Sequence, residues 1–207
     1  MEDKKMTEKE SLELITSMIK RTRERYIGEG NILLMWGYVS VVVSALVWIM
    51  LVKTHNPNWN MLWFAIGIIG GIATPIMSKK SEKKVGVKSY SDKVTSQIWT
   101  TVGIVAVVAT LFCIGFGFKG FNAWGMMLIY PLVIVSMGEI AQGIVVKENA
   151  LYVGGFIGLC AGIFTVCCLA GRVPLDISWF MPVFIGAFIC MMIIPGHIIN
   201  RKAKQQR

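Results

Sequence analysis

Six long, almost uncharged apolar runs occupy most of this 207-residue chain and constrain its fold more than any other feature. A hydrocarbon layer about 30 Å thick is crossed by roughly 20 helical residues, because an α-helix rises about 1.5 Å per residue. All six runs meet or approach that length. They cover Ile32–Val52, Met61–Met77, Val94–Phe118, Ala123–Val146, Ala150–Gly171 and Ser178–Ile199. The sequence therefore predicts an all-α, polytopic membrane helix bundle of six transmembrane helices.

Composition supports lipid rather than water as the solvent of these helices. Only 16% of the residues are charged, whereas about a quarter are charged in typical soluble domains. The runs are apolar on all sides, and a water-soluble helix would keep one polar face. We expect three parts: a cytoplasmic amphipathic N-terminal segment (1–30), the transmembrane domain (31–199) and a basic cytoplasmic tail (200–207). This division leaves no room for a separate catalytic domain.

The basic residues are distributed asymmetrically between the two predicted sides of the membrane. If the N-terminus is cytoplasmic, 18 of the 21 Lys and Arg residues fall on that side, leaving Lys53, Lys119 and Arg172 outside. Lys and Arg accumulate in cytoplasmic loops, so both termini are predicted to be cytoplasmic. The net charge of +9 then indicates attraction to anionic lipid heads, and no nucleic-acid partner is expected.

The segment before the first run has the pattern of an amphipathic helix over residues 7–26. Its apolar residues recur at helical spacing, and basic residues gather toward its end, where a helix dipole favours cations. We expect it to lie on the inner leaflet and to turn at Gly28–Gly30 into the first span. The alternatives are a helix that packs on the bundle or on a partner protein, and a disordered segment. The apolar residues are Leu12, Ile15, Ile19 and Tyr26.

Glu139 is the residue most suggestive of chemistry, since it is the one acidic residue inside a predicted span. It precedes Lys147 by about eight residues, roughly 12 Å inside the boundary. An ionised carboxylate there is costly and normally faces the bundle interior, a water cavity or a partner. Glu139 is therefore either a protonatable site in a solute or ion path, or a structural group that is protonated or bonded to other spans. The candidate polar neighbours are Gln142, Gln97 and His197.

Histidine and cysteine provide weaker signals. A Glu139–His197 pair could relay protons, although one histidine near the interface is more typical of a snorkelling or capping residue. His55 lies at the opposite boundary, so a two-histidine metal site is not expected. The five cysteines lie within spans and have neither C-x-x-C nor zinc-type spacing. We therefore predict no metal, no cofactor and no disulfide.

Glycine and proline predict local helix geometry. Gly154, Gly158 and Gly162 recur every four residues and form a smooth stripe for close packing, either within the chain or between two copies. Pro131 and Pro182 are expected to kink their helices. Pro195 is expected to end the last one.

Three segments of the chain carry a resemblance, namely Ser17-Met18-Ile19-Lys20-Arg21-Thr22-Arg23, Gly30-Asn31-Ile32-Leu33-Leu34-Met35-Trp36-Gly37-Tyr38 and Ile194-Pro195-Gly196-His197-Ile198. They resemble segments of an uncharacterised family of small six-span bacterial integral membrane proteins. The resemblance implies a bacterial cytoplasmic membrane. It implies no catalytic or binding residues.

Three classes of function follow from these observations, in order of expectation. The first is a non-enzymatic membrane component that binds or regulates a partner, which is either a second copy or another membrane protein. The second is a small solute or ion transporter centred on Glu139. A membrane-embedded enzyme comes last, because phosphate-loop, zinc-protease and nucleophile-elbow motifs are absent from the sequence.

Overall fold

The computed structural model describes the backbone of residues 7–85 and 90–205, and the side chains of residues 7–17, 30–80 and 90–205. Within these residues the chain is helical and contains no strand. Six helices are long and apolar enough to cross a membrane, which confirms the predicted number and class. The helices are α1 (Glu8–Thr54), α2 (Trp63–Val85), α3 (Tyr90–Phe118), α4 (Met126–Val146), α5 (Asn149–Ala170) and α6 (Ile177–Gln205).

The first helix differs from the prediction, because α1 continues without a turn through Gly28–Gly30. It is 47 residues long, and its span is Gly30–Thr54. Gly30 is buried, and a Cβ atom there would overlap the side-chain amide oxygen of Asn200. Glycine at this position therefore permits close helix packing, and the helix tolerates its propensity cost of about 1 kcal/mol. The side chains of residues 18–29, which include Ile19, Tyr26 and the basic residues near the end of the predicted amphipathic helix, lie outside the described part.

The start of α1 carries a capping box. The Thr7 hydroxyl accepts a hydrogen bond from the Glu10 backbone N–H, and a Glu10 carboxylate oxygen accepts one from the Thr7 N–H at 2.8 Å. These bonds satisfy two donors that a helix start otherwise leaves unpaired. Hydrogen bonding of the exposed Glu10 carboxyl to the Thr7 backbone, and second to the Thr7 side chain, lowers the pKa of that carboxyl. The helix therefore begins at a defined residue, well before the apolar run.

The polar stretch Ser78–Asp92 between the second and third apolar runs is helical on both sides of residues 86–89, since α2 runs to Val85 and α3 begins at Tyr90. One further prediction about a helix end is wrong. Pro195 does not end the last helix, which continues to Gln205. A π-helical segment, Ile189–Ile193, comes directly before this proline. Such a widened turn accommodates the missing proline N–H without breaking the helix.

A second π-helical segment, Pro131–Val135, lies in α4 and begins at the proline predicted to disturb that helix. At Pro182, in contrast, the chain remains α-helical. The two π-helical segments therefore belong to α4 and α6. Both lie in the interior of their spans.

The helices divide into a centre and a periphery. Only 6% of the α2 span and 11% of the α3 span are buried, against 33–44% of the other four. α2 packs on α1, and α3 packs on α4, while α5 contacts both α4 and α6. The main core cluster draws its fully buried side chains from the central helices, including Leu132, Leu151, Phe184 and Met191. The exposed apolar surface of α2 and α3 matches a lipid surrounding.

Contacts between α1, α5 and α6 define one end of the bundle. The Asn200 side-chain amide donates to Asn31 at 2.8 Å, and the Lys202 ammonium lies 2.6 Å from the Glu148 carboxylate. The start of the α1 span, the start of α5 and the end of α6 therefore lie together. We call this end of the bundle, at Asn31, Glu148 and Lys202, the terminal side.

Candidate functional site

Glu139 lies in the interior of the bundle, on the half of α4 nearer the terminal side. Its side chain is 0% exposed. The preceding residue, Gly138, packs against Val102 of α3, while Gly143 packs against Tyr152 of α5. Position 139 lies between these two directions on the helix circumference, so its side chain enters the space that the central helices enclose.

Neither carboxyl oxygen of Glu139 has a hydrogen-bonding partner among the described side chains and backbone. The sequence left open a carboxyl bonded to other spans, and that version of the structural interpretation is wrong for this arrangement. Burying a polar group without a hydrogen bond costs about 1–3 kcal/mol by protein mutational data, and an ionised group costs far more. An enclosed carboxyl without a cationic partner is therefore a neutral acid unless water or a cation reaches it.

Gln142 is one helical turn from Glu139 and is also buried, at 5% exposure. Its side-chain oxygen accepts a hydrogen bond of 2.7 Å from the indole N–H of Trp99 on α3. The bond joins α3 to α4 at the level of the acidic side chain. Gln97, the other glutamine proposed from the sequence, is exposed on α3 and does not belong to this site.

His197 does not form a pair with Glu139. It is exposed on α6, and its Nε2 atom lies 2.7 Å from the Tyr38 hydroxyl of α1. The two rings meet edge to face, with centroids 6.0 Å apart. Since neither oxygen of Glu139 has a hydrogen-bonding partner, a direct Glu–His relay is excluded in this arrangement. The hydrogen bond between His197 and Tyr38 instead joins α6 to α1.

The glycine stripe of α5 packs inside the chain's own bundle and against both π-helical segments. A Cβ atom on Gly162 would lie 2.8 Å from the Leu132 carbonyl oxygen, and one on Gly154 would lie 2.9 Å from the Cys190 carbonyl oxygen. At Gly158 a Cβ atom would overlap the Ser136 hydroxyl. The stripe therefore lets the backbones of α4 and α6 approach α5 closely, one turn of α4 away from the acidic side chain.

No family model, curated protein or solved structure matches this chain. Among the residues that the structure describes, no group of three or more His, Cys, Asp or Glu side chains could hold a metal ion. The five cysteines are free thiols.

The sequence analysis missed two polar residues of the site, both on α3. One is Trp99, whose indole N–H donates to Gln142. Thr95, one turn away on the same helix, is 5% exposed, and its hydroxyl has no hydrogen-bonding partner among the described residues. The four-residue spacing places both on one helix face, which is the available sequence signal. Hydrophobicity did not decide which face of this peripheral helix meets the bundle, because polar residues next to Thr95, such as Ser96 and Gln97, lie on other faces of α3.

Proposed function

We propose that this chain is a non-enzymatic transporter of a small solute or ion, in which Glu139 takes up and releases a proton during transport. We place it in a bacterial cytoplasmic membrane with both termini in the cytoplasm, so that the terminal side is the cytoplasmic side. The single observation that supports transport best is the enclosed carboxyl of Glu139, whose two oxygens have no hydrogen-bonding partner among the described residues.

A structural group and a transport site place different requirements on a buried carboxyl. A buried polar side chain stabilises a helix bundle only if its hydrogen bonds are made, because an unsatisfied buried group costs more free energy than it contributes. Glu139 makes no hydrogen bond with the described residues. In a purely structural role, nothing would therefore offset the free-energy cost of burying its carboxyl. A proton carrier requires such a carboxyl, because the ionised and neutral forms differ strongly in their preference for water.

The test is flux into reconstituted vesicles. Purified protein in liposomes should take up protons, or a solute from a panel of amino acids, sugars and monovalent cations, when a pH gradient is imposed. Glu139→Gln keeps the shape of the side chain but cannot ionise, so the gradient-driven flux should fall to that of protein-free liposomes. Gln97→Leu serves as the matched control, because it removes an exposed polar side chain of α3 and should leave flux unchanged.

Two results would contradict transport by this route. One is a flux that is equal in the wild type and in Glu139→Gln. The other is the absence of any flux above protein-free liposomes for protons and for the whole panel.

A second candidate, a component that binds a partner protein, is favoured by α1. This helix begins at Glu8, long before its span at Gly30, and Leu12, Leu14 and Ile15 are 69%, 49% and 54% exposed. Exposed apolar side chains on an amphipathic helix suit a helical partner or the lipid surface.

The partner interpretation is tested by capture from detergent extracts. Leu12→Glu combined with Ile15→Glu should abolish recovery of a co-purifying protein if the helix binds a partner. The Glu13→Gln control changes a neighbouring side chain of the same helix and should not. Recovery that is insensitive to the double substitution and to deletion of residues 1–26 would reject this candidate.

A further inference from the structure

We infer that the buried polar side chains between α3 and α4 hold water molecules that connect Glu139 to the terminal side. These side chains are Thr95, Trp99 and Gln142, and we call them the α3–α4 polar seam. The inference rests on the proposed role of Glu139 and deepens it, because it states from which side the proton arrives. The ligand of the seam is water, through which the proton of Glu139 exchanges.

Three buried polar atoms near the α3–α4 contact lack a hydrogen-bonding partner among the described residues, and we call them orphan atoms. They are the Thr95 hydroxyl oxygen and the two Glu139 carboxyl oxygens. Threonine in a helix usually bonds back to a carbonyl of its own helix, as Thr100 and Thr101 do on α3. Thr95 does not make that bond. Buried polar groups in proteins are almost always satisfied, and ordered water supplies the partner where protein does not.

The orphan atoms lie on one path. Thr95 and Trp99 are four residues apart and therefore share a face of α3. The Trp99 indole binds Gln142 at 2.7 Å, and Gln142 is three residues from Glu139 on α4. The four side chains thus line a single contact between the two helices, with an orphan group at each end. Trp99 and Gln142 fix its middle.

The path runs from the terminal side toward Glu139. α3 starts at Tyr90 and α4 ends at Val146, both toward the terminal side, so Thr95 lies nearer that side than Trp99 does. On α4, Gln142 likewise lies nearer that side than Glu139. The polar groups therefore begin about 8 Å inside the start of α3 and lead inward to the carboxyl. Beyond Glu139 toward the other side, α4 presents the apolar Leu132 and Val135 to the core. The two buried hydroxyls of α4 on that side already have partners, because Ser136 donates to the Met191 sulfur and Tyr130 donates to the Val102 carbonyl oxygen.

Other ionisable groups on the neighbouring elements do not compete for this role. On α3, Asp92 lies at the helix start and takes part in other interactions. On α5 and α6, Glu148 is paired with Lys202, and His197 is bonded to Tyr38. Cys190 of α6 packs near the glycine stripe of α5. Glu139 is therefore the group whose proton the seam would serve.

The experiment follows the exchange of the Glu139 proton for deuterium by infrared spectroscopy of the full chain in lipid. The carbonyl band of the protonated carboxyl, assigned by its loss in Glu139→Gln, should shift when the film is exposed to D₂O. Thr95→Val removes the hydroxyl at nearly constant shape and should slow the shift about tenfold, the effect of losing one hydrogen bond of ordinary strength. Thr95→Ser keeps the hydroxyl and should exchange as the wild type does.

Thr101→Val is the matched control, since Thr101 is exposed on the same helix and bonded to the Gln97 carbonyl. It should leave the exchange rate unchanged. A second measurement covers the case in which the carboxyl shows no protonated band. In a chain whose five native cysteines are replaced by alanine, Thr95→Cys should react with a membrane-impermeant cationic thiol reagent from the terminal side alone.

Each outcome decides the inference separately from transport. If the band does not shift in the wild type, or shifts equally fast in Thr95→Val, water does not reach Glu139 by this seam. Labelling of Thr95→Cys from the opposite side, or from neither side, overturns the inference equally. If the seam carries exchange but Glu139→Gln leaves vesicle flux unchanged, the inference stands and the transport proposal fails.

Discussion

Replacing Glu139 with methionine should make the protein more stable while removing the proposed proton uptake and release. Methionine has a similar length and volume but no polar atoms, so it fills the same space. The carboxyl it replaces has no hydrogen-bonding partner among the described residues, and burying it without one costs about 1–3 kcal/mol even when it is neutral. Water held in the α3–α4 polar seam offsets part of this cost, but immobilising that water costs free energy as well. We therefore expect Glu139→Met to raise the free energy of unfolding, by at most about 3 kcal/mol, as occurs where a group is retained despite its cost to stability.

The assay is equilibrium unfolding in mixed micelles with increasing denaturing detergent, followed by tryptophan fluorescence. Gln142→Met is the matched control, one turn away on the same helix and also buried. It removes the acceptor of the Trp99 indole N–H and should destabilise the protein by about 1–3 kcal/mol, because a buried donor is left unpaired. The two substitutions should therefore have opposite signs. If Glu139→Met also destabilises by more than about 1 kcal/mol, the carboxyl makes hydrogen bonds to protein groups in the membrane and the reasoning is refuted.

Three further predictions follow from other parts of the structure. Gly162→Ala should destabilise the same unfolding transition by about 1–3 kcal/mol through overlap with the α4 backbone, whereas Gly103→Ala, which has open space, should stabilise it by about 0.5–1 kcal/mol; equal effects would contradict the packing. Lys202→Met removes a half-exposed ion pair and should cost at most about 1 kcal/mol, less at high salt; a larger loss would contradict this ranking. Hydrogen bonds from Thr7, above all from its backbone N–H, lower the pKa of the Glu10 carboxyl in the folded state. The stability that they give is therefore present above the unfolded-state pKa and is lost as the pH falls through the folded-state pKa. Circular dichroism of a peptide of residues 1–26 should show this loss of helix at acidic pH, and Glu10→Gln should reduce it; an unchanged titration would contradict the capping box.

The number of long apolar helices was predictable because one strong physical term sets it. A residue of the membrane interior must be apolar or satisfied, so each long uncharged run predicts a helix over the same residues. The helix Asn149–Ala170 and the predicted run Ala150–Gly171 differ by one residue at each end. The glycine stripe of α5 was also visible, since small residues at four-residue spacing have few uses other than close packing.

Local breaks in the helices were predicted less well, because a single residue type serves several purposes. Gly30 suggested a turn, yet it provides close approach to Asn200 inside a continuous helix. Pro195 suggested a helix end, yet a π-helical segment before it absorbs the missing donor. In both cases the packing partner decides the outcome, and that partner is distant in the sequence. The absence of hydrogen bonds to the Glu139 carboxyl among the described residues was unpredictable for the same reason.

The two π-helical segments and the acidic side chain are connected through α5. Gly162 contacts the segment at Pro131–Val135 of α4, and Gly154 contacts the segment at Ile189–Ile193 of α6. A π-helical segment widens its turn and shifts the register of all residues that follow, by about one position relative to an unbroken α-helix. In α4 that shift occurs immediately before Ser136 and one turn before Glu139. The side chain that enters the interior at position 139 is therefore set by the upstream segment, which packs on a surface without Cβ atoms. The π-helical segment of α4 and the glycine stripe thus together place the Glu139 carboxyl in the interior between α3 and α5.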